Sequence, residues 1–136
     1  MRVLGLDYGS VRCGCALSDP TGTIVTPIEA VSHPARRRGM DALIALIDER
    51  GVQRVVVGLP LSLRGADTLQ TAEARRFAAR LARRLEDRVP VELHDERFTT
   101  RMAQRMEGAA AQEDSRAAAH MLEGWFAAGR RGAGAL

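Results

Sequence analysis

The stretch Arg2-Val3-Leu4-Gly5-Leu6-Asp7-Tyr8-Gly9-Ser10, running into Val11-Arg12-Cys13-Gly14-Cys15-Ala16-Leu17-Ser18, decides the fold. Residues 2–8 are apolar enough for a buried strand, and they end at a turn-prone Tyr-Gly-Ser. Residues 11–18 read as a second strand. Asp19-Pro20-Thr21-Gly22 then has the chemistry of a tight turn, and Thr23 to Ile28 reads as a third strand. Strands joined by such short turns form an antiparallel meander.

Outward from the meander the pattern alternates. Met40, Leu43, Ile44 and Ile47 recur at helical spacing in a helix expected over 35–50, which Gly51 stops. Arg54-Val55-Val56-Val57-Gly58 is a short apolar strand of the kind found inside parallel sheets. A loop through Leu59-Pro60 to Gly65 leads to a long helix over 67–87, with Leu69, Phe77, Leu81 and Leu85 on its inner stripe. Val89 to Asp95 forms the fifth strand, Thr99 to Glu107 a short helix, and Ser115 to Ala128 the last helix. The order βββαβαβαα predicts an α/β domain with a five-stranded mixed sheet, strand order 3-2-1-4-5, flanked by helices: the RNase H-like arrangement. Residues 1–128 form this domain, and the Gly- and Arg-rich residues 129–136 are expected to be a loose tail.

A chain of 136 residues has room for one such core. No apolar run reaches the length of a membrane span, and the start lacks the pattern of a signal peptide. Cys13 and Cys15 lie two apart on one strand, where bridging is difficult, so they are expected to be reduced and buried in a cytoplasmic protein. The formal charge is +3, and all 20 basic residues are Arg. Arg suits phosphate recognition, which fits a nucleic-acid partner, although a compositional bias toward Arg would give the same count.

The acidic residues carry the chemistry. Asp7 ends the central strand, where open α/β sheets place their sites, and Gly5, Gly9 and Gly14 leave the backbone around it open. Asp95-Glu96 closes strand 5. Alternation puts Val89, Val91, Leu93 and Asp95 on one face and Glu92, His94 and Glu96 on the other. Which face lies over the site stays open; the longer Glu96 spans the gap to strand 1 more easily than Asp95. Asp114 stands at the start of the last helix, on the face of Ala118, Met121, Leu122 and Trp125, and also suits an N-cap role. Carboxylates meeting from separate elements can hold Mg²⁺ or Mn²⁺ for phosphodiester hydrolysis. His33, His94 and His120 lack metal-ligand spacing, and no Ser–His nucleophile stands out.

Four motifs, in order, resemble the YqgF/RuvX family. They are Gly5-Leu6-Asp7-Tyr8-Gly9-Ser10-Val11-Arg12-Cys13-Gly14, then Val57-Gly58-Leu59-Pro60-Leu61 with Gly65, then Asp95-Glu96-Arg97-Phe98-Thr99-Thr100, and last Asp114-Ser115 with Ala117-Ala118 and Leu122-Glu123-Gly124-Trp125-Phe126. The similarity spans about Arg2 to Ala128. That family comprises Holliday junction resolvases and nucleases that mature the 5′ end of pre-16S rRNA. The resemblance implies an RNase H-like fold, a divalent metal, and acidic positions at Asp7, the Asp95–Glu96 pair and Asp114. It also implies phosphate or structural roles for Arg12 and Arg97. Arg64 and Arg101 are further candidates for flanking phosphates. The stretch from Gly108 to Glu113 is shorter than the family's and lacks its basic residues. Strand 4 ends in Gly58-Leu59-Pro60, so strand 5 has to supply the second acid.

Few aromatics argue for recognition of shape and backbone in structured RNA or branched DNA. A junction resolvase is expected to be a two-fold dimer. Two other classes share some of these residues. A non-catalytic nucleic-acid-binding or ribosome-assembly factor would keep the acids as remnants. An actin-like nucleotide phosphotransferase would use the Asp7–Ser10 hairpin but needs a second domain.

Overall fold

A computed structural model describes residues 1–96 and the backbone of 110–134, with side chains of the latter from 115 to 129. The elements are β1 (Val3–Asp7), β2 (Arg12–Ser18), β3 (Val25–Ser32), α1 (Arg37–Glu49), β4 (Arg54–Leu59), α2 (Leu69–Leu85), β5 (Val91–Asp95) and α3 (Ala110–Gly134). The sheet has the expected order β3-β2-β1-β4-β5. β1 pairs antiparallel with β2 and parallel with β4, β2 pairs antiparallel with β3, and β4 pairs parallel with β5. The short helix expected over Thr99–Glu107 lies outside the described residues.

The period-2 alternation of each strand sends its side chains to two unlike layers. On one face Leu4, Leu6, Cys13, Cys15, Val55 and Val57 pack against Met40, Leu43 and Ile47 of α1 and Phe77, Leu81 and Leu85 of α2. Cys13 and Cys15 are buried and free of disulfides, as expected. On the other face Val3 and Val56 meet Met121 and Leu122 of α3, and Ala16 meets Ala118 and Ala119. The small side chains here set the helix height. A Cβ on Gly5 would stand 2.9 Å from the Leu122 Cβ, so only Gly allows α3 to lie this close to β1.

Several boundaries differ from expectation for local reasons. β3 extends four residues further, to Ser32, because a bulge against Cys13–Cys15 takes up one extra residue of β3 and lets pairing resume. α2 starts at Leu69 behind an N-cap. Thr68 Oγ1 accepts from Thr71 N at 3.2 Å, and Thr68 N donates to Thr71 Oγ1 at 2.9 Å. This reverses the assignment of Leu69. At the first helical position it points out and is 85% exposed, while Thr71 and Ala74 take the buried stripe.

α3 is longer than expected at both ends. Its Ala-rich start favours helix from Ala110, and propagation carries it through Gly134, beyond the boundary expected at 128. Residue 114 is therefore more than a turn inside the helix and is not an N-cap. No described helix is long and apolar enough to cross a membrane.

Candidate active site

Three sheet positions in a row define the site. Leu6 pairs with Val57 in the parallel β1–β4 ladder, so Asp7 comes next to Gly58, and Gly58 in turn pairs with His94. Val3, Gly5 and Asp7 share the α3 face of β1, and Val56 and Gly58 share that face of β4. The ladder continues past β5, where Glu96 N donates to the Leu59 carbonyl at 3.3 Å. The alternation of β5 therefore places His94 and Glu96 on the α3 face. Asp95 follows Val91, which packs with the α1–α2 layer, onto the opposite face.

Glycine at position 58 is what brings the two acids toward each other. A Cβ there would overlap Glu96 Oε2 and lie 3.0 Å from Glu96 Cδ and 3.2 Å from Met121 Cγ. The Glu96 carboxylate thus lies over β4, in space a side chain would fill, one strand from Asp7. Both acids are nearly out of solvent, Asp7 at 3% and Glu96 at 5% exposure. Burying two carboxylates side by side is costly unless positive charge or hydrogen bonds compensate. Their hard oxygen donors, on adjoining parts of one face, fit a divalent cation such as Mg²⁺ or Mn²⁺.

The third acid is placed only by its backbone. Ser115 Oγ donates to the Ile28 carbonyl at 2.6 Å and accepts from Cys15 N at 3.4 Å, which pins α3 across the β2–β3 bulge. Cys15 is the partner of Leu6, and Gly14 the partner of Asp7. The backbone at 114 therefore lies near the sheet level of Asp7, while the Asp114 side chain lies outside the described residues. Among those residues no group of three or more His, Cys, Asp or Glu comes together as a metal site.

A family model described as the RuvX Holliday junction resolvase matches residues 1–128. The chain belongs to the RuvX family. A relative from Rhodococcus erythropolis, named "Putative pre-16S rRNA nuclease", is 40% identical over 92% of this chain and 77% of its own length. One of the same name from Maridesulfovibrio salexigens is 37% identical over 93% of this chain and 98% of its own. Among solved structures, Thermus thermophilus RuvC in complex with a Holliday junction superposes with a TM-score of 0.62 at 16% identity, over 96% of each chain. At that identity the likeness shows a shared RNase H-like fold.

Within this RuvX chain the remaining polar groups of the α3 face fall into two kinds. Glu92 holds the layers together: its carboxylate accepts from Arg54 Nη1 at 2.7 Å and from Trp125 Nε1 at 3.1 Å, tying β4, β5 and α3. His94 stands between Glu92 and Glu96 with its ring near Gly124. Burial pushes its pKa below the usual value, with the Asp95 and Glu92 charges opposing that shift. The place of His94 on this face agrees with the alternation that groups it with Glu92 and Glu96.

Of the arginines, Arg12 opens β2 beside the β1–β2 turn, and Arg64 is exposed in the loop after β4. Both stand at the sheet edge where Asp7 ends β1. Arg97 and Arg101 lie outside the described residues.

Proposed function

We propose that this chain is a metal-dependent nuclease that hydrolyses phosphodiester bonds in structured nucleic acid, with precursor rRNA as its first substrate class and branched DNA as its second. Membership of RuvX makes it a hydrolase of ester bonds. The observation that carries the reading is the shared placement of Asp7 and Glu96, buried on one face at the carboxyl end of β1 with Gly58 clearing the space between their strands.

Asp7 and Glu96 would hold a Mg²⁺ or Mn²⁺ ion, with Asp114 as the third carboxylate and Asp95 kept apart on the other face. Such an ion supplies Lewis acidity at the phosphoryl oxygens and neutralises charge as it develops. The protein's own part is positional. Asp7 is held at the end of β1, and Glu96 by its backbone bond to the Leu59 carbonyl, so the two carboxylates are placed before substrate binds. Arg12 and Arg64, with Arg97 and Arg101, would fix the flanking phosphates and orient the scissile one. The α3 layer closes the site from one side and limits water.

Asp7→Asn tests this. The variant should keep its circular dichroism spectrum and melting temperature while cleavage of a precursor-rRNA stem and of a four-way DNA junction, with Mn²⁺ present, falls by about a thousandfold or more. Undiminished cleavage by folded Asp7→Asn protein would contradict the assignment. A wild-type protein that binds these substrates tightly but never cuts them would favour an assembly factor.

A further inference from the structure

Tyr8 follows Asp7 but points the other way, into the α1–α2 layer, where its ring stacks on Phe77 with centroids 4.6 Å apart. Around the pair is a notch of about 190 Å³, walled by Tyr8, Ala35, Glu73, Arg76, Phe77 and Arg80. Asp7, Glu96, Arg12 and Arg64 do not line it.

The charges on α2 show what the notch offers. The helix carries Arg75, Arg76, Arg80, Arg83 and Arg84 against a single acid, Glu73. Arg75 is paired with Asp67 at 2.9 Å and Arg84 with Asp41 at 2.5 Å. Arg80 donates from Nη1 to the Ala35 carbonyl at 3.0 Å, which fixes its guanidinium and leaves its other donors for a further partner. Arg76 makes no ion pair among the described residues. Both guanidiniums are close enough to Tyr8 to act on its phenol. Burial, with Glu73 and Cys13 adding to it, nevertheless pushes that phenol above its usual pKa, so it stays protonated and able to donate. Two guanidiniums and a phenol against one carboxylate leave an excess of donors and of positive charge in a small concave site, which is what an anionic oxygen cluster needs.

We propose that this notch binds a backbone phosphate of the substrate strand, adjacent to the bond that is cut. Asp7 is the last residue of β1 and Tyr8 follows it directly, the two facing opposite sides of the sheet. A strand crossing the carboxyl edge of the sheet therefore meets the carboxylate site on one side and the Arg76–Arg80 notch on the other. The notch holds the strand by its backbone alone, in keeping with recognition of shape over sequence. This subsite rests on the nuclease reading above.

The test measures binding in the Asp7→Asn background, where cleavage does not interfere, with a labelled four-way DNA junction and a labelled RNA stem-loop across a salt series. Arg76→Gln should weaken binding about five- to tenfold and make the slope of log K against log salt shallower by about 0.7–0.9, the loss of one phosphate contact. Arg83→Gln, an equal charge change outside the notch, should leave the slope unchanged. Tyr8→Phe, which keeps the stack on Phe77, should weaken binding by a smaller factor with no change of slope. Equal effects of Arg76→Gln and Arg83→Gln, or none from Arg76→Gln in a folded protein, would overturn the subsite while leaving the nuclease reading intact. No binding by the Asp7→Asn parent to either probe would overturn both.

Discussion

The two faces of the sheet are made by the same strands and differ in nearly every physical respect. On the α1–α2 face, large side chains interlock: Leu4, Leu6, Val55 and Val57 against Met40, Leu43, Phe77 and Leu81, all essentially out of solvent. On the α3 face Val3 and Val56 pack against Met121 and Leu122, but Gly5, Asp7, Ala16, Gly58, His94 and Glu96 are small or polar, and the helix answers these with Ala118, Ala119 and Ser115. One face supplies most of the apolar burial that stabilises the domain. The other gives up burial for close backbone approach and for two buried acids. The bulk of the apolar core and the proposed site thus lie on opposite sides of a single sheet, and mutations on the two sides should be separable in effect.

The sharpest way to break that division is Gly58→Ala. The added methyl meets the flexible end of Glu96 before anything rigid, so the carboxylate should be displaced while the fold gives little. Cleavage should fall about a hundredfold or more, with a loss of stability near 1 kcal/mol, read by single-turnover assay and denaturant titration. A Gly58→Ala protein as active as wild type would mean that the position of Glu96 does not matter.

The converse change lies on the other face. Leu81→Ala removes a fully buried side chain between α2 and the sheet and should destabilise by about 2–5 kcal/mol. Molecules still folded should cut at close to the wild-type rate. A rate loss well beyond the folded fraction would show that the two faces are coupled.

The smallest effect concerns His94. Its folded-state pKa lies below the unfolded value because burial disfavours the charged ring. The unfolded chain therefore binds more protons, and stability rises with pH. The contribution is present above the unfolded pKa near 6.5 and is lost as pH falls through the folded pKa. Melting temperature should drop on acidification below about pH 6.5, and His94→Asn should flatten that part of the profile. An unchanged profile in the variant would remove His94 as the cause.

How much of this was legible in the sequence depended on the range of the interactions involved. The sheet order followed from local signals: the Asp19–Gly22 turn, the apolar run Val55–Val57 and the spacing of Met40, Leu43 and Ile47. Asp7 was legible as a candidate for the same reason, since a lone acid closing an apolar central strand adds nothing to the core and stands where α/β sheets bind their ligands. The choice between Asp95 and Glu96 was not, because alternation yields two faces and only the packing of α3 says which one carries Asp7. Gly58 read as a strand terminator, and its role as the space that Glu96 occupies exists only in three dimensions. Leu69 was misassigned because at 3.6 residues per turn it lies about 120° around the helix from Leu81, off the stripe that Thr71, Ala74, Phe77, Leu81 and Leu85 form. Asp114 looked like a cap because its helix was expected to begin there; the alanines before it extend the helix instead.

On the proposed reading Asp7 and Glu96, and not Asp95, hold the ion. Calorimetric titration of Mn²⁺ into the wild-type protein, Glu96→Gln and Asp95→Asn decides between them. Glu96→Gln should weaken Mn²⁺ binding by at least about tenfold, while Asp95→Asn binds as wild type does. If Asp95→Asn loses the ion and Glu96→Gln keeps it, the site has been built on the wrong face of β5.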